Sequence, residues 1–123
     1  MKFNNILIVD DSATSRMIIK RCFEIAGYRD SKYYEAENGL QAISLLEEKT
    51  IDLILSDLKM PKMDGKTFIK KIKCNNKTKE VTIIVISSMS NDITEEQLIQ
   101  QGVKGIIQKP ISPQKILNTL GVI

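Results

Sequence analysis

The feature that most constrains this chain is a set of apolar runs without polar alternation. Ile6, Leu7, Ile8 and Val9 form one, Leu53, Ile54 and Leu55 a second, and the β-branched residues 81–86 a third. A strand with one wet face alternates apolar and polar side chains, whereas a strand apolar at every position is buried on both faces. Residues 103–108 read as a further strand. Residues 31–36 are a weaker one, where Tyr33 and Tyr34 sit between charged flanks that suit a sheet edge. Between the strands the apolar period becomes helical. Residues 13–26 present Ile18, Cys22 and Ile25, flanked by Met17, Ile19, Phe23 and Ala26. Residues 40–48 present Ala42, Ile43 and Leu46, residues 65–73 Phe68, Ile69 and Ile72, and residues 92–101 Ile93, Leu98 and Ile99. The last helix carries Ile116, Leu117 and Leu120. Five alternations of strand and helix predict an α/β fold: a parallel sheet, helices on both faces, right-handed crossovers.

Local signals agree with this division. Ser12 is placed to cap the first helix, and Asn91 or Asp92 the fourth. Ser112 followed by Pro113 starts the last. Gly27 and Gly102 stop helices, and Asn38-Gly39 makes a turn. A length of 123 residues fits one domain, 1–123, able to bury roughly two-thirds of the surface its unfolded chain exposes. No apolar run approaches the ~20 residues of a membrane span. Residues 1–5 lack the apolar core of an export leader, so the expectation is a cytoplasmic protein without membrane insertion. Cys22 and Cys74, in unrelated surroundings, read as free thiols. The chain has no histidine, which excludes a histidine-ligated metal, a histidine general base and a phosphohistidine of its own.

The net charge of +3 is unevenly spread. Residues 59–80 hold eight lysines against Asp64 and Glu80, a local +6 that leaves the remainder at −3. Such a stretch is either a docking surface for an acidic partner or a solvated helix face. It lacks arginine, and its one aromatic ring, Phe68, falls on the apolar helix face instead of being interleaved with the lysines as in nucleic-acid contacts, so no nucleic-acid partner is expected.

In a parallel sheet of this kind, ligands bind beyond the carboxyl ends of the strands. The first strand ends in Asp10 and Asp11, the third in Asp57, the fourth in Ser87 and Ser88, and the fifth in Lys109. Alone, an aspartate at a strand end is a turn residue. Together these are three carboxylates, a hydroxyl and an ammonium at one edge. Two carboxylates ~4 Å apart repel by about 4 kcal/mol at an effective dielectric near 20. A divalent cation relieves that conflict, and hard oxygen ligands shared with water suit magnesium. A phosphoryl group could then lie between metal and lysine, and phosphoryl transfer asks for little beyond positioning and charge stabilisation.

Four motifs now stand in order on matching elements. They are Asp10-Asp11-Ser12, the stretch from Ser56 and Asp57 through Pro61 to Asp64-Gly65, Ser87 after Ile86, and Lys109-Pro110. Over its whole length the chain resembles a receiver domain of the two-component response regulator family, most of all the stand-alone chemotaxis type. That resemblance implies a flavodoxin-like, doubly wound (βα)5 three-layer sandwich, and the strand order 2-1-3-4-5 is taken from the family. It implies that Asp57 accepts a phosphoryl group from the phosphohistidine of a histidine kinase. It implies that Asp11, Asp57 and the main-chain carbonyl of Lys59 bind magnesium, with Asp10 acting largely through water; manganese could substitute. Lys109 would pair with the phosphoryl group, Ser87 would move to hydrogen-bond it, and the bond before Pro110 would be cis.

The chain departs from the family at Ile106, where an aromatic ring usually swings with the hydroxyl residue. Ile106 is expected to pack in the sheet, leaving the switch to other groups. Ser88 replaces a small apolar residue, and spacing favours Ser87 as the phosphoryl partner. Lys59 and Met89 flank the approach of hydrolytic water and are expected to slow dephosphorylation. With Ile123 soon after the last helix, output is expected through a protein partner on the helix 4–strand 5–helix 5 face of a monomer. The competing readings are a phosphorelay intermediate or phosphate sink, a flavin-binding redox protein of the same topology, and a metal-dependent phosphatase. A flavin phosphate would be repelled by Asp10 and Asp11, and a phosphatase would need cap elements for which this length leaves no room.

Overall fold

A computed structural model describes residues 3–88 and 92–121. The strands are β1 (Asn5–Val9), β2 (Lys32–Ala36), β3 (Leu53–Ser56), β4 (Thr82–Ser87) and β5 (Gly105–Gln108). They alternate with helices α1 (Ala13–Phe23), α2 (Gly39–Glu48), α3 (Gly65–Lys73), α4 (Asp92–Gln100) and α5 (Pro113–Leu120). All pairings are parallel and the order is 2-1-3-4-5. The doubly wound flavodoxin-like sandwich expected from the sequence is the fold of the chain.

Alternation along each strand divides the apolar runs into two core layers. Leu7, Val9, Ile54, Ile83 and Val85 meet α2, α3 and α4 through Ala42, Leu46, Phe68, Ile72 and Leu98. Ile6, Ile8, Leu55, Ile84 and Ile86 meet α1 and α5 through Ile19, Phe23 and Ile116. Every position of β3 is buried, whereas β2, at the edge, is buried only at Ala36. The helix stops also follow the sequence. Gly27 adopts φ 119°, ending a π-helical turn (Glu24–Tyr28) that follows α1 and carries Tyr28 into the core.

Two apolar faces differ from expectation. On α1 the inward stripe is Arg16, Ile19 and Phe23, continued by Ala26. Ile18 and Ile25 are exposed and Cys22 is half-buried. Met17, Ile18 and Ile19 form an unbroken apolar run that fits more than one face, and an arginine occupies the inward position that would have fixed the phase. On α4, Leu98 is buried but Ile99 is half-exposed. Asn91 and the side chains of Asp92 and Ile93 lie outside the described residues.

Asp64 caps α3. Its Oδ1 accepts the Thr67 N–H at 2.8 Å, and this bond, with the Thr67 hydroxyl second, holds its carboxyl below the usual range. A depressed folded-state pKa adds stability above the unfolded value of about 3.9. That stability is lost as pH falls through the folded value. Asp64→Ala is therefore expected to cost about 1 kcal/mol at neutral pH, as caps do. In urea unfolding of both proteins the difference should shrink below about pH 3.9; an undiminished difference in acid would contradict this account.

Candidate functional site

The sheet sets the positions of the strand-end residues. Val9 and Ser56 are paired in register, so Asp10 and Asp57 leave neighbouring strands side by side. The Asp57 N–H donates to Val9 O at 3.0 Å, and the Asp10 N–H to Ala36 O at 3.1 Å. Ser87 pairs with Gln108, and the Lys109 N–H donates to Ser87 O at 2.8 Å. From there the Lys109 side chain reaches back across the sheet edge. Its Nζ lies 2.9 Å from Asp10 Oδ2 and 3.1 Å from Asp57 Oδ2. The Lys109–Pro110 peptide bond is cis.

The two carboxylates have different surroundings. The Asp10 side chain is 2% exposed. Its Oδ1 accepts the Ser12 N–H at 2.9 Å, and its Oδ2 accepts the Ser15 hydroxyl at 2.6 Å in addition to Lys109. Burial pushes this carboxyl up, but the bonds from Ser15, Ser12 and Lys109 outweigh it and hold the pKa below the usual range. The Asp57 side chain keeps 13% exposure. Its Oδ1 accepts the Leu58 N–H at 2.7 Å and the Lys59 N–H at 3.4 Å. Burial alone would lower the Lys109 pKa, yet its bonds to Asp10 and Asp57 hold it above its ordinary value. One ammonium between two carboxylates leaves the cluster at −1.

The remaining sequence candidates are placed as follows. Asp11 is exposed and takes no part in these contacts. Among the described residues no three carboxylate, cysteine or histidine side chains converge as a ready metal cluster. Ser87 is buried and Ser88 exposed. Ile106 pairs with Val85 and packs, partly buried, against the α2–α4 layer. Lys59 is exposed, and Met89 lies outside the described residues. The donors gathered at this edge are all oxygens, with residual negative charge, and that chemistry suits a hard divalent cation completed by water.

Two residues at the site went unnoticed in the sequence. Ser15 donates to Asp10, as described. Arg16, only 9% exposed, donates from Nη1 to the Asp10 carbonyl at 2.6 Å and from Nε to Glu35 Oε1 at 2.8 Å. It fastens the exit of β1 to the edge strand. The signal was available: an arginine in phase with Ile19 and Phe23 on the buried stripe of a helix needs buried acceptors.

After Asp57 the chain folds back through Lys62, at φ 70°, so that the Gly65 N–H donates to Leu58 O at 2.8 Å. A Cβ at Gly65 would lie 2.7 Å from Asp57 O and 2.7 Å from Leu58 Cα. Only glycine lets α3 start this close to the segment that carries Asp57.

Comparison with known proteins gives a consistent result. A family model described as the response regulator receiver domain matches residues 6–121. The chemotaxis protein CheY of Bacillus subtilis is 38% identical over 117 residues, covering 95% of this chain and 94% of that one. The chemotaxis response regulator CheY4 of Vibrio cholerae superposes with a TM-score of 0.83 at 26% identity, over 97% of each chain. The receiver domain of a Pseudomonas aeruginosa sensor histidine kinase, solved with magnesium in its active-site cleft, shares the fold. Its TM-score is 0.79 at 23% identity, over 94% of this chain and 92% of that one.

Proposed function

The chain belongs to the response regulator receiver domain family of two-component signalling, and from that premise we propose that Asp57 is its phosphoryl acceptor. The observation that carries this reading is the Lys109 ammonium 3.1 Å from Asp57 Oδ2, on a carboxylate that retains solvent access. An Asp57 carboxylate oxygen attacks the phosphorus of a kinase phosphohistidine. The P–N bond breaks, the imidazole leaves, and an acyl phosphate remains. Lys109 pairs with the incoming negative charge, and Ser87 moves to donate its hydroxyl to the phosphoryl group. Asp11, Asp57 and the Lys59 carbonyl would hold magnesium, or manganese in its place, with Asp10 reached through water. The metal would supply charge neutralisation and phosphoryl orientation. Asp10, clasped by Ser12, Ser15 and Lys109, stays ionised and fixed beside the acceptor.

On this reading residues 1–123 act as one cytoplasmic, monomeric receiver domain. It receives its signal from a histidine kinase and passes it to a protein target through α4, β5 and α5. The sequence from Asp92 to Ile123, which supplies that face, is charge-balanced, with Lys104, Lys109 and Lys115 against Asp92, Glu95 and Glu96. The likeness to chemotaxis proteins supports a chemotaxis output over a phosphorelay or sink role. Among the described residues no helix is long and apolar enough to cross a membrane. The direct test is a small-molecule phosphodonor with magnesium, followed by intact mass. One phosphoryl group should be gained, and a chelator should suppress the gain.

The rate of phosphoryl loss belongs to the same proposal. Lys59 is exposed two residues beyond Asp57, and its long side chain, with Met89, would hinder hydrolytic water. Replacing both with small residues should speed decay of the acyl phosphate several-fold. Unchanged decay in a time course by intact mass would remove this role.

A further inference from the structure

Ser15 is the third residue of α1, a position from which a side chain can reach back past the start of a helix. Its N–H donates to the Ser12 hydroxyl oxygen at 3.1 Å, and its own hydroxyl donates to Asp10 Oδ2 at 2.6 Å. An ionised carboxylate can only accept, so the proton in that second bond is the serine's. Lys109 Nζ meets the same oxygen at 2.9 Å. One oxygen of Asp10 thus carries two donors of different kinds, a neutral hydroxyl and an ammonium.

The ammonium is the donor with a second task. Lys109 Nζ also lies 3.1 Å from Asp57 Oδ2. Once a phosphoryl group is joined to Asp57, the negative charge lies on the phosphoryl oxygens, and Lys109 has to turn toward them. Asp10 cannot follow. Its N–H donates to Ala36 O, its carbonyl accepts from Arg16 Nη1 at 2.6 Å, and its Oδ1 accepts the Ser12 N–H at 2.9 Å. With its side chain 2% exposed, water has little room to replace a departing donor. A buried acceptor left unsatisfied costs its full desolvation penalty. With Ser15 present, Oδ2 keeps a bond when Lys109 turns away. Without that hydroxyl, Lys109 is the one donor left to Oδ2, and the pairing holds the ammonium back.

We infer that Ser15 is a positioning residue for phosphoryl transfer, whose hydroxyl satisfies Asp10 Oδ2 and so frees Lys109 to pair with the phosphoryl group on Asp57. This rests on the Asp57 reading and deepens it. A serine that served only to start α1 would act through its N–H bond to Ser12, which Ser15→Ala retains.

The test is a time course of the full chain with phosphoramidate and magnesium, followed by intact mass. An Asp57 oxygen attacks phosphorus, the P–N bond breaks, and the already protonated nitrogen leaves as ammonia. Ser15→Ala should label several-fold more slowly at saturating magnesium. Thr14→Ala, at the exposed neighbouring position, should label as wild type does. Alanine is a good helix former, so α1 should persist, and urea unfolding checks this. Ser15→Thr and Ser15→Val form a second pair of equal shape: the threonine should restore the rate and the valine should not. Magnesium affinity, measured by calorimetry on the unlabelled chain, should be the same in Ser15→Ala and wild type, because the freed group is Lys109. A general loosening of the site would weaken both together. A wild-type chain that gains no phosphoryl group, or keeps the gain in Asp57→Ala, would bring down the Asp57 reading itself. With wild type labelled at Asp57, an unchanged rate in Ser15→Ala, equal rates for threonine and valine, or magnesium affinity falling with the rate would each overturn the role of Ser15 alone.

Discussion

Asp57→Ala is expected to end the gain of a phosphoryl group that the wild-type chain should show with a phosphodonor and magnesium, reducing it to background. The neighbouring carboxylates should not substitute. Asp10 is 2% exposed and its two oxygens already accept from Ser12, Ser15 and Lys109. Asp11 is exposed, but the Lys109 ammonium that would stabilise transferred charge is turned to Asp10 and Asp57. The fold should tolerate the substitution. Lys109 keeps Asp10 as a partner, and removing one of two adjacent carboxylates relieves repulsion, so urea unfolding should shift by no more than ~1 kcal/mol. Loss of labelling with stability intact assigns the effect to the nucleophile. Labelling that survives in Asp57→Ala would refute the central proposal.

Gly65→Ala should damage both fold and phosphorylation. The added Cβ would meet Asp57 O and Leu58 Cα, each at 2.7 Å. Both are backbone atoms, so no rotamer change relieves the clash, and α3 must move away from the segment after β3. Overpacking of this kind costs about 1–3 kcal/mol. The same displacement would shift Asp57 relative to Lys109 and move the Lys59 carbonyl, so phosphodonor labelling should slow at least several-fold. Gly39→Ala is the control. Its Cβ would approach Met63 Sδ at 2.9 Å, an end that can turn aside, and Met63 Cβ and Cγ at 3.1 and 3.2 Å, which a small shift of Met63, itself only half-buried, can relieve. Gly39→Ala should therefore lie within ~1 kcal/mol of wild type. Equal costs at the two glycines would show that backbone proximity at Gly65 is not what matters.

The strands and the residues that end them were legible because β1, β3 and β4 each hold an apolar run without polar alternation, and a polar residue closing such a run marks the exit from the core. Asp10, Asp57, Ser87 and Lys109 therefore stood out. The phase of α1 did not, because Met17, Ile18 and Ile19 fit several faces and Arg16 takes a place that an apolar residue usually fills. The roles of Ser15 and Arg16 depend on burial and on partners far along the chain, such as Glu35, and no local pattern carries that. The internal charge balance was also out of reach. Counting residues suggested three crowded carboxylates, whereas the fold sets two around one ammonium and leaves Asp11 in solvent.

Arg16 and Lys109 together have a consequence for the whole sheet. From Glu35 on β2, polar contacts run to Arg16, to Asp10 beyond β1, to Lys109 beyond β5 and to Asp57 beyond β3, and the Lys109 N–H ties in Ser87 of β4. Side chains thus link the ends of β2, β1, β5 and β3 in series at one rim, and β4 joins them through the main chain. A change of charge at Asp57 should redistribute attraction along that whole series, and substitutions at two of its members, Glu35 and Lys109, should not have independent effects.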